Sequence, residues 1–210
     1  MNSNVKKTYP FFDLYDKFIK DSETGRRLQP NGKKITEGTI ANYKYTQLLL
    51  QKFCITKSFE LRISNTKKLT QREMQREKNY WLRFYKKFTD YLYIDCGHFD
   101  NYAGANVKNI RTFFGYLNKQ LQLYTGDFYK QFYVRKEEIS IVTLLPEELN
   151  YLIYDKAIDN SLKDRQKKVK DVFVFGCTVA LRFSDLMALK KTNIRINGNS
   201  WYLSVRSKKT

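Results

Sequence analysis

The stretch Phe175-Gly176-Cys177-Thr178-Val179-Ala180-Leu181-Arg182-Phe183-Ser184-Asp185-Leu186-Met187-Ala188-Leu189 decides how the rest of the chain is read. Its pattern predicts one helix over roughly 162–176, a break at small residues, and a second helix over about 182–190. Asp185 follows Arg182 by three residues, so the two side chains can meet on one helix face. Lys191-Thr192-Asn193 then leads into two short β segments, Ile194–Ile196 and Trp201–Val205. Asn197-Gly198-Asn199 between them is a hairpin turn signal.

Upstream, the periodicity is helical. Phe11, Phe12, Leu14, Tyr15, Phe18 and Ile19 form an apolar stripe, ended by the basic loop Gly25 to Lys34. A second helix is expected over 36–53, with Ile40, Tyr43, Leu50 and Phe53 on one face. Segment 57–69 is ambiguous, although Phe59 to Ile63 could alternate as a strand. Thr70-Gln71-Arg72-Glu73 is a capping box, in which hydroxyl and carboxylate satisfy the end amides reciprocally. The helix it opens carries Tyr80, Trp81, Phe84, Tyr85 and Phe88. After a turn at Cys96-Gly97-His98, Val107, Ile110, Phe114, Leu117 and Leu121 recur at steps of three and four, an amphipathic helix over 105–121. Residues 122–142 lose the period and read as a connector, with a domain boundary near 135. Pro146-Glu147-Glu148-Leu149 then resembles a helix start, with proline in the first turn and acids at the positive end of the dipole.

Composition narrows the function classes. In 210 residues, 39 Lys and Arg face 21 Asp and Glu, a net charge of +18. Such an excess points to a polyanion, most commonly nucleic acid. With 42% hydrophobic and 16% aromatic residues the chain has enough apolar material for a packed core. Cys54, Cys96 and Cys177 are far apart and His98 is the lone histidine, so no metal site is expected. Three thiols without a framework fit a reducing cytoplasm. Neither a signal peptide nor a membrane span is visible, so a soluble protein is expected, with no membrane partner.

The central stretch resembles the tyrosine site-specific recombinase (phage integrase) family. Ala180-Leu181-Arg182-Phe183-Ser184-Asp185-Leu186, then Ala188-Leu189-Lys190, is similar to that family's Leu-Arg-x-Ser-Glu/Asp-Leu motif and its basic follower. Thr39-Ile40-Ala41-Asn42-Tyr43 looks like the start of the second helix of the family's core-binding domain. Leu145-Pro146-Glu147-Glu148-Leu149 looks like the opening of its catalytic domain, with Leu145 in place of a capping threonine. The resemblance implies a mainly α chain. Residues 1–134 would be a helical, SAM-like core-binding bundle, and 135–210 the first part of a truncated α+β catalytic domain with a short β hairpin.

What the resemblance implies for chemistry is specific. Phosphodiester exchange builds negative charge on the non-bridging oxygens, and a planar guanidinium can grip two of them. Arg182 is expected in that role, with Asp185 supporting it. The family's general acid is a lysine on a hairpin; Lys209 fills the position, with Lys208 as the alternative. The family's His-x-x-Arg motif and late tyrosine nucleophile are not found, so these 210 residues are expected to bind DNA without cleaving it. An open reading frame past Thr210 would be expected to encode them. No metal or nucleotide cofactor is required.

Double-stranded DNA is the expected partner, with a tetramer assembling on it in the full-length protein. Two helices would approach the major groove, 36–53 and 105–121, presenting Thr39, Asn42, Lys44, Tyr45, Lys108 and Arg111. The alternatives are a non-enzymatic helical DNA-binding regulator, an RNA-binding basic protein, and an aromatic-rich adaptor. The net charge argues against the last.

Overall fold

The computed structural model describes residues 8–206. The chain is mainly helical and divides into two compact units, Met1–Ile139 and Ser140–Thr210.

The first unit begins with β1 (Thr8–Pro10), which pairs antiparallel with β2 (Arg62–Ser64), Tyr9 opposite Ile63. The strand expected from the alternation at 59–63 therefore starts later and is only three residues long. Four long helices surround the core: α1 (Phe11–Glu23), α2 (Glu37–Thr56), α3 (Gln71–Asp90) and α4 (Asp100–Lys119). Thr36 caps α2 by accepting from the Thr39 amide. Thr70 and Glu73 close the expected box on α3: the Thr70 amide donates to Glu73 Oε2 at 2.9 Å, and the Glu73 amide to the threonine hydroxyl at 3.4 Å.

The apolar stripes meet as the periodicity requires. Phe18, Leu50, Phe53, Phe88, Phe113, Phe114 and Leu117 are completely buried. Trp81 is at the centre, edge-on to Phe114 at 4.7 Å and stacked on Phe128 at 5.7 Å. Such pairs add roughly 0.5–1.5 kcal/mol each beyond the area they bury. One charged group is sealed beside them: the Arg62 guanidinium spans both oxygens of buried Glu77 at 2.9 and 3.2 Å and lies over the Tyr80 ring.

The segment read as a connector is part of this core. Leu123, Phe128 and Phe132 are buried, and a 3-10 turn at Phe128–Gln131 sets the two phenylalanines. Its apolar positions are irregularly spaced because the segment packs across α4 rather than coiling. Four α4 residues hold it there. Asn101 exchanges two 3.1 Å bonds with the Glu137 backbone, and Arg111 Nη1 donates to the Phe132 carbonyl at 3.4 Å. Asn118 donates to Thr125 Oγ1 at 2.7 Å and accepts from its amide at 2.9 Å. At Gly104 a Cβ would fall 2.0 Å from the Arg135 carbonyl oxygen, so only glycine admits the crossing.

The second unit carries α5 (Pro146–Tyr154), α6 (Lys156–Ser161), α7 (Asp164–Val179), α8 (Phe183–Leu186) and the hairpin β3–β4 (Ile194–Asn197, Ser200–Leu203). Leu145 has no side-chain acceptor, so only half a box forms on α5, its amide donating to Glu148 Oε2 at 2.8 Å. The expected hairpin forms with shifted ends: Asn197 and Ser200 pair within the strands, β4 stops at Leu203, and the loop is the two residues Gly198, at φ +59°, and Asn199. The helix expected over 182–190 is shorter. After Leu186 the backbone tightens into three-residue turns, Ala188 to Asp185 and Leu189 to Leu186, both 3.2 Å. The Asn193 side chain then accepts from the Lys190 amide at 2.8 Å, competing with helical continuation. Among the described residues of this unit, Asp185 alone is buried.

Candidate nucleic-acid interface

On the first unit, α2 and α4 lie side by side along a polar seam. Thr46 Oγ1 is 2.8 Å from Asn106 Oδ1 and accepts from Asn109 Nδ2 at 2.9 Å. Asn109 also reaches the Asn42 carbonyl at 3.5 Å, which sets Asn42 beside the turn of α4 that carries Lys108. Asn42 and Lys108 are exposed, and Tyr45 is 64% exposed. Lys108 has no ion pair among the described residues. These three sequence-expected residues are exposed on the surface of the unit.

The other three have duties within the fold. Thr39 is half-buried with its hydroxyl 2.9 Å from Thr36 Oγ1, at the cap of α2. Lys44 Nζ pairs with Glu23 Oε1 at 2.6 Å, so its charge is turned toward α1. Arg111 is half-buried and anchors the Phe132 carbonyl.

Arg111 and Lys108 also belong to a groove of about 960 Å³ between α4 and the segment after it. Lys119, Tyr124 and Lys130 complete its walls, and Gly115 its floor. The sequence pattern does not point to Tyr124 and Lys130, because nothing local says that 122–134 folds back along the helix. The available signal was the α4 series Asn101, Gly104, Lys108, Arg111, Gly115, Asn118, a polar stripe with two glycines flanking the apolar one.

On the second unit, Ala180 ends α7 in the left-handed conformation, φ +51°. That turn makes Arg182 the residue capping α8, exposed, while Asp185 sits at the third position of α8, buried. The Arg182 carbonyl accepts from the Asp185 amide at 2.9 Å and the Leu186 amide at 2.8 Å. Leu186 returns onto α7 so closely that a Cβ at Gly176 would meet its Cδ2 at 2.9 Å. The turn therefore brings the expected pair into one short helix start, Arg182 exposed and Asp185 buried. Lys208 and Lys209 lie outside the described residues.

The buried tyrosines are held protonated. Burial pushes Tyr80, Tyr91 and Tyr93 up to about 12, and pushes Tyr15 and Tyr116 further. An activated nucleophile needs the opposite shift. Among the described residues no His, Cys, Asp and Glu cluster could hold a metal ion, and no helix is long and apolar enough to cross a membrane. Comparison with protein-family models, curated proteins and solved structures finds no match to this chain.

Proposed function

We propose that this chain is the DNA-binding, amino-terminal part of a tyrosine site-specific recombinase, acting in the cytoplasm on double-stranded DNA. The observation that carries the reading is the Leu181-to-Leu186 turn, in which exposed Arg182 caps α8 and buried Asp185 follows at its third position. In this reading the first unit is the SAM-like core-binding bundle and grips one side of the duplex through Asn42, Tyr45 and Lys108. The second is the beginning of the catalytic domain. Arg182 stabilises the phosphoryl charge, Asp185 orients it, and Lys209 protonates the leaving 5′ oxygen. The full-length protein would supply the tyrosine that forms a 3′-phosphotyrosine, which stores the energy of the broken bond without a cofactor, and would assemble as a tetramer on DNA.

Two measurements on these 210 residues test it. Duplex DNA should be bound, with affinity falling steeply with salt, by roughly 0.9 in log-log slope per phosphate neutralised. A nicked suicide substrate should yield no covalent adduct. Salt-insensitive binding would sink the DNA reading, and an adduct would place a working nucleophile within these residues. Arg182→Ala should leave affinity within a few-fold and, in a protein extended to include the nucleophile, abolish cleavage.

A further inference from the structure

The groove along α4 has features the fold itself does not need. Lys108, Arg111, Lys119 and Lys130 line it against one carboxylate, Asp127, which lies 3.0 Å from Lys130. Lys119, like Lys108, has no ion pair among the described residues. Tyr124 is 47% exposed on the wall, with Lys67 Nζ over its ring at 5.2 Å. The floor is Gly115, in mid-helix, where a Cβ would meet nothing within 4 Å. A helix-interior glycine weakens its helix relative to alanine. Gly104 repays that by admitting the Arg135 carbonyl, whereas Gly115 admits no part of the described chain. It leaves room for something else to approach the helix.

The shape distinguishes a strand from a small anion. From Lys108 to Lys119 the helix rises roughly 16 Å. That length covers several consecutive phosphates of one strand, more than a single small anion would need. We propose that this groove receives the sugar-phosphate backbone of one DNA strand, with Lys119 and Lys130 on its phosphates and Gly115 admitting its closest approach. The inference rests on the DNA-binding reading above. It adds to the contacts of the α2–α4 face a separate stretch of surface, between α4 and the 122–134 segment.

The test uses the whole chain, a duplex oligonucleotide and a salt titration. Lys119→Gln with Lys130→Gln should lower the log-log slope by roughly 1 to 2. Gly115→Gln should weaken binding at least tenfold while the melting temperature holds or rises, since the added side chain enters open space. Lys17→Gln with Lys20→Gln, an equal charge change on α1, should leave both near wild type. If wild type binds duplex DNA but the three groove substitutions leave affinity and slope unchanged, the groove is not the site and the DNA reading stands. If wild type fails to bind even at low salt, both fall.

Discussion

The two units spend similar residues in opposite ways. In the first, Trp81, Phe11, Phe84, Phe113 and Phe114 are 1% exposed or less, and their rings interlock. In the second, Phe173, Phe183, Met187, Trp201 and Tyr202 are between 49% and 73% exposed. The apolar groove along α7 and α8 there, about 710 Å³, is open. Both units follow the amphipathic pattern, but only one contains enough layers to cover its own apolar faces. The difference teaches that patterning assigns a residue to a face, whereas burial depends on what lies opposite.

The largest expected contrast is with pH. The tyrosines pushed up to about 12 ionise near 10 once unfolded, so the stability they contribute is complete below pH 10 and is lost as pH rises toward 12. The first unit should therefore unfold in that window, with tyrosinate absorbance appearing together with loss of helical circular dichroism. Tyrosinate appearing well before unfolding would mean those rings are open to solvent. Next in size, Trp81→Ala should cost about 3–5 kcal/mol in denaturant unfolding. Phe173→Ala should change stability by about 0.5 kcal/mol or less. Equal costs would erase the contrast, because they would require the face bearing Phe173 to be covered.

Smaller effects sharpen the same comparison at the backbone. Gly104→Ala should destabilise the first unit by about 1–3 kcal/mol, because the Arg135 carbonyl must move; a stabilised variant would show that the segment does not cross there. In the second unit the strain runs the other way. Ala180 holds a left-handed conformation, so Ala180→Gly should relieve about 1 kcal/mol. A thermal melt of the wild type and this variant would detect it, and a lowered melting temperature would mean the turn is held differently.

Much of this was legible locally. The Thr70 box, the apolar faces of α2 and α4 and the hairpin at Gly198 need only neighbours within a few residues, and each is found, although α4 runs from Asp100 to Lys119 and leaves Leu121 beyond its end, and Asn197 belongs to the strand. The candidate site was legible in part. Asn42, Tyr45 and Lys108 were expected on the surface and are there. Lys44 was not expected to face Glu23, nor Arg111 to hold the Phe132 carbonyl, because both partners come from other segments. The overlong helix at 182–190 failed because Asn193 offers the Lys190 amide a competing bond.

By itself, the sequence determined the helical class, the helix faces, the hairpin and the basic character, since these depend on periodicity, turn chemistry and charge within short windows. Only the tertiary structure decided that residues 122–134 close the core and wall a cationic groove. It also decided which expected contacts are spent on the fold and which of two glycines on one helix is filled. The physical reason is that these outcomes depend on pairings between segments far apart in the chain, and no local window contains both partners.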